Sequence, residues 1–91
     1  MDYRITRHSG WGAPENALDL LWQQLGARQQ EFSFSQGRAE IRARWRAEVP
    51  VSMERDEHER LGRTTVLEIV RDACRRAPDL NADWFAVSPP R

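Results

Sequence analysis

From Ala39 to Met53 every second residue is apolar: Ala39, Ile41, Ala43, Trp45, Ala47, Val49, Val51 and Met53. Glu40, Arg42, Arg44, Arg46, Glu48 and Ser52 alternate with them. A period of two is the signature of a strand with one buried and one wet face. At about 3.3 Å per residue this run extends roughly 50 Å, whereas a compact domain of this length is only ~30 Å across. The strand must therefore bend, and Pro50 is the natural place because proline cannot donate to a ladder. Otherwise its far end, Val49 to Met53, reaches a second subunit.

The rest of the chain supplies partners for this ribbon. Tyr3 and Ile5 alternate with Arg4 and Thr6, which predicts a short first strand ended by the glycines at 10 and 12. A helix follows. Pro14 suits its first position, Glu15 and Asp19 suit the positive end of its dipole, Leu18, Leu21, Trp22 and Leu25 share one face, and Gly26 ends it. Phe32 and Phe34 alternate with serines just before Gln36-Gly37, which predicts a hairpin into the ribbon. A two-residue turn there pairs Phe34 with Ala39, Phe32 with Ile41 and Glu31 with Arg42, so that apolar residues face each other and opposite charges meet. A bulge at Gly37 would instead turn the phenylalanines onto the arginine side.

From Ser52 to Arg63 the chain is nearly all charge, which reads as a solvated loop or an extra helical turn. Thr65 and Glu68 have capping-box spacing, and Val66, Leu67, Val70, Ala73, Cys74 and Ala77 make a helical stripe, so the second helix is placed at about Val66 to Arg76. Trp84-Phe85-Ala86-Val87 is the last strand, stopped by Pro89-Pro90. The order of strand, helix, strand, strand, helix, strand is the split βαβ pattern of a ferredoxin-like βαββαβ sandwich. Its four-stranded antiparallel sheet would carry two helices on one face. Tyr3, Ile5, Phe32, Phe34, Ile41, Trp45 and either Trp84 or Phe85 would face the helices, leaving the arginine row on the open side.

Composition narrows the chemistry. Ninety-one residues, 40% of them hydrophobic, suffice for one α+β domain, 1–91. Fourteen arginines balance fourteen carboxylates, so any electrostatic partner must be met by a local patch. The absence of lysine excludes Schiff-base, pyridoxal-phosphate and P-loop lysine chemistry. Cys74 is the sole cysteine, so neither an intrachain disulfide nor a multi-cysteine zinc site can form. No signal peptide or membrane-spanning window is apparent, and a cytoplasmic protein without a cofactor is expected.

Few residues suggest a site, and none names a reaction or a substrate. Arg42, Arg44 and Arg46 share one side of a strand, where they either track a phosphate backbone or form cross-strand pairs with carboxylates. Trp84 and Phe85 are adjacent on a strand, which puts one of them on the open face and calls for a cover, either a second copy or a folded-over tail. Gly10-Trp11-Gly12 lacks the spacing of a phosphate-binding loop, because Glu15 stands where a third glycine belongs, and Trp11 is left as a core lid or a contact residue. His58-Glu59 begins like a zinc-protease motif, but Gly62 occupies the second histidine's place. Cys74 lies on an apolar helical stripe, as a buried structural thiol does.

These residues predict a small interaction or regulatory protein without catalytic activity. It is expected to form a homodimer through the open sheet face and the Val49, Val51 and Met53 end of the ribbon, with Trp84, Phe85 and Trp11 contributing, or to bind another protein. The alternative is a single-stranded nucleic-acid module built on Arg42, Arg44 and Arg46. A third reading, ranked below both, is a ligand-binding enzyme using His8 and Trp11.

Overall fold

The computed structural model describes residues 2–8, 12–25, 32–46 and 54–88. Strand β1 (Asp2–Arg7), helix α1 (Ala17–Leu25), strands β2 (Phe32–Gln36) and β3 (Ile41–Trp45), helix α2 (Arg55–Arg76) and strand β4 (Phe85–Ser88) follow in that order. The strands form one antiparallel sheet in the order β2-β3-β1-β4, and the expected βαββαβ two-layer sandwich is the observed fold. Alternation decides which side chains enter the core. Tyr3, Ile5, Phe32, Phe34, Ile41, Ala43, Phe85 and Val87 are buried with Leu21, Leu25, Val66, Val70 and Ala73 of the helices.

Helix α2 is twice the length expected from the apolar stripe alone: of the loop and the extra helical turn, the charged stretch takes the helical course, and from Arg55 to Arg63 it forms more than two turns. The buried positions explain this. His58, Gly62, Val66, Val70, Ala73 and Cys74 form one continuous inward face, whose first two members are not aliphatic. Gly62 is there because the Tyr3 phenol presses on the helix. A Cβ on residue 62 would lie 2.7 Å from Tyr3 Cε2 and closer still to Cζ and Oη. The phenol hydroxyl donates to the helix carbonyls of His58 (3.4 Å) and Glu59 (3.2 Å). The expected capping box at Thr65 does not form, since the Thr65 hydroxyl donates back to the Leu61 carbonyl at 2.7 Å within a continuing helix. Helix α1 likewise starts later than Pro14. Asn16 precedes it directly and accepts from the Leu20 N–H at 3.1 Å, while Pro14 lies in the turn before.

The hairpin register differs by four residues from the expected one. Phe34 faces Ala43, Phe32 faces Trp45 and Ser35 faces Arg42, so residues 37–40 form the connection in place of Gln36-Gly37. The Gly37 N–H closes the loop onto the Glu40 carbonyl at 2.8 Å. Because the slip is even, no side chain changes face. Phe32 and Phe34 are buried on the side of Ile41 and Trp45, as the alternation requires. Ala39 belongs to the loop, and β3 gives way to a bend at Arg46. The continuation of the ribbon through Val49, Pro50, Val51 and Met53 lies outside the described residues, as do Glu31, Glu48 and Trp11.

Trp84 is not in the last strand. It closes a short 3₁₀ turn, Ala82–Trp84, which Asn81 caps by accepting from the Asp83 N–H at 3.0 Å. Phe85 is the aromatic that enters the core; Trp84, which strict alternation would set on the open face, is withdrawn into the turn, and the open-face positions of β4 are Ala86 and Ser88.

Candidate functional site

The open side of the sheet follows from the registers. One row across it is Ser35, Arg42, Arg4 and Ser88; the next sets Ser33, Arg44 and Asp2 in register; Thr6 and Ala86 lie beside each other toward the other end. Every large side chain in these rows is an arginine, and no aromatic residue is among them. Arg42 and Arg44 are exposed on this face as expected, and Arg46 is exposed at the bend just past β3. The pairing of Glu31 with Arg42 is replaced, since Arg42 stands opposite Ser35 on one side and Arg4 on the other.

Arg4 was not singled out from the sequence, because its role depends on β1 pairing with β3. Its position opposite Arg42 sets two cations side by side on adjacent strands, an arrangement that is destabilising when like charges face directly. The Glu40 carboxylate offsets it. Glu40 Oε2 lies 3.5 Å from Arg4 Nε and 3.4 Å from Arg42 Nε. The Glu40 side chain is only 21% exposed, against 59% for Arg4 and 52% for Arg42, so the anion lies beneath two accessible guanidinium groups. Within this row one negative charge between two positive ones leaves a net cation, flanked by Ser35 and Ser88, while in the next row Arg44 stands opposite Asp2. Such a surface presents planar forks of N–H donors suited to phosphate or carboxylate oxygens.

The remaining candidates are dispersed. His8 is exposed beyond β1, with its N–H donating to the Trp84 carbonyl at 2.7 Å. It borders a cavity of about 330 Å³ with Leu67, Arg71, Asp83 and Phe85. Trp84 lines a second cavity, of about 580 Å³, with Arg71, Arg75 and Cys74 at the end of α2. His58 is buried and stacks on Trp45 with ring centroids 5.2 Å apart, its Nδ1 without a hydrogen-bond partner. Trp45 in turn packs on Phe32 at 4.2 Å. Burial pushes the Tyr3 hydroxyl above its usual pKa. The nearby Trp45 indole N–H pulls the other way without reaching full hydrogen-bond geometry, and Glu59 adds to the rise. Burial also pushes the Cys74 thiol up. Among the described residues no three histidine, cysteine or acidic side chains converge to hold a metal ion, and no helix is long and apolar enough to cross a membrane.

The open face thus unites Arg42 and Arg44 with Arg4 and Glu40, and leaves Trp84, Phe85 and His8 elsewhere. No protein-family model matches the chain, and neither does any curated protein or solved structure.

Proposed function

We propose that this protein is a small binding module that recognises a polyanionic partner through its open sheet face, with the phosphate backbone of a single-stranded nucleic acid as the ligand. The observation that carries this reading is the Arg4–Arg42 cross-strand pair bridged by the partly exposed Glu40 carboxylate, with Arg44 two positions beyond Arg42 on β3. Phosphate oxygens arriving from solvent relieve the like-charge contact. A guanidinium offers a fork of N–H donors and no acceptor, so this surface is suited to holding anions. With no aromatic among the described residues of the face, bases have nothing there to stack on, and recognition is by charge and length rather than by sequence.

Self-association through the same face is the weaker reading. An aromatic from Trp84 or Phe85 on the open face would favour it, but Phe85 is in the core and Trp84 in the turn before β4. Two copies placed face to face would also set arginine rows against each other.

The test is fluorescence anisotropy of a labelled mixed-sequence single-stranded oligonucleotide titrated at several salt concentrations. Arg4→Gln/Arg42→Gln/Arg44→Gln should abolish binding at moderate salt and reduce the slope of log K against log salt by about 2, at roughly 0.7 per lost contact. Glu40→Gln should tighten binding by unmasking the pair. Absence of wild-type binding at low salt, or an unchanged slope in the triple variant, refutes the proposal.

A further inference from the structure

The sheet has two edges, and they are not treated alike. On β4, the register with β1 and the bond from the His8 N–H to the Trp84 carbonyl make Phe85 and Val87 the residues whose backbone groups point away from the sheet. That edge is guarded. Arg63 of α2 reaches across and donates its Nε–H to the Val87 carbonyl at 3.1 Å, and two prolines follow the strand in sequence.

On β2, the bond from the Gly37 N–H to the Glu40 carbonyl sets the alternation. Ser35 and Ser33 exchange hydrogen bonds with β3, whereas Phe32, Phe34 and Gln36 turn their N–H and C=O groups outward. No described strand pairs with that edge. Protein edges are normally protected by charged residues, proline or a bulge. The β2 sequence, Phe-Ser-Phe-Ser-Gln, contains none of these, and its pairing with β3 is regular.

We infer that β2 is an interface for a second copy of this chain, the two β2 strands pairing antiparallel about a two-fold axis through Phe34. The strand is self-complementary in that register. Phe34 meets Phe34 of the other copy and Phe32 meets Gln36, each pair exchanging both backbone hydrogen bonds, while Ser33 meets Ser35 on the open face. No charge opposes a like charge, and no large side chain must move, since Phe32 and Phe34 are already in the core. An axis perpendicular to the sheet joins two four-stranded sheets into one of eight, with both arginine faces on the same side. This surface is distinct from the arginine face and leaves it accessible.

The experiment combines sedimentation analysis over a wide concentration range with amide hydrogen exchange of the wild-type chain. Wild type should approach twice the chain mass. Ser33→Lys/Ser35→Lys, which alters exposed side chains only and places like charges across the axis, should be monomeric with an unchanged circular dichroism spectrum. In hydrogen exchange, the amides of Phe32, Phe34 and Gln36 should become protected as concentration rises, while those of Ser33 and Ser35 are protected at every concentration. A wild-type chain that is monomeric throughout overturns the inference. So does a dimer in which the amides of Phe32, Phe34 and Gln36 exchange freely, whether or not the lysine variant folds.

Discussion

Replacing glycine by alanine inside a helix normally stabilises it by about 1 kcal/mol, because glycine loses more backbone freedom on folding. At Gly62 the opposite is expected. The new methyl would fall within van der Waals distance of three atoms of the Tyr3 ring, 2.7 Å from Cε2 and nearer to Cζ and Oη. The ring has nowhere to go. It is fully buried, sits edge-on to Phe32 at 6.0 Å, and is tied by its hydroxyl to the carbonyls of His58 and Glu59. Forcing such an overlap costs about 1–3 kcal/mol, and loss of the phenol hydrogen bonds adds about 1 kcal/mol. Setting the helix gain against the sum of these, Gly62→Ala should destabilise the fold by roughly 1–3 kcal/mol, which for a domain of this size lowers Tm by about 4–24 °C. Urea unfolding followed by circular dichroism measures this directly. The decisive control is Tyr3→Leu, which removes the contacting atoms; in that background Gly62→Ala should gain about 1 kcal/mol, so that its effect reverses sign. Gly62→Ala that is neutral or stabilising in the wild-type background refutes the argument from close approach.

Two further outcomes follow from buried ionisable groups. Cys74 should react with a thiol reagent far more slowly in native than in denatured protein, because burial disfavours its thiolate; rapid modification of the folded chain would contradict its place on the inner face of α2. The Tyr3 and Cys74 protons are both held more tightly in the folded state than at the usual values of 10.0 and 9.0, so their contribution to stability is complete below pH 9 and lost as pH rises through the folded values. Unfolding experiments should show stability declining in the alkaline range, with a shallower decline in Cys74→Ala.

The parts of the fold that were legible in the sequence are those in which one residue type repeats at one period. The alternation of Tyr3, Ile5, Phe32, Phe34, Ile41 and Trp45 sufficed to place all six toward the helices. The first half of α2 was illegible because its inward positions are His58 and Gly62, residues chosen by contact with Trp45 and Tyr3 on distant strands. Trp84 was misplaced for a local reason, since Asn81 caps a tight turn that removes it from the strand. Of the candidate site, the Arg42 and Arg44 row was visible in the strand pattern. Arg4 and the bridging role of Glu40 appear only once β1 is known to lie between β3 and β4.

The even slip in the β2–β3 hairpin has a consequence for how its connecting loop can change in length. A sheet with this alternation distinguishes its two faces by parity alone, so lengthening or shortening one strand's path by two residues returns every side chain to the side it left. Insertion of a single residue next to Gly37 has two outcomes. The loop can take it up and leave the pairing as it is, whereas a residue drawn into β3 that shifted the pairing by one would turn Arg42 and Arg44 toward the helices and Ile41, Ala43 and Trp45 toward water. Along this segment, then, the parity of the pairing, and not the length of the loop, decides which face is wet.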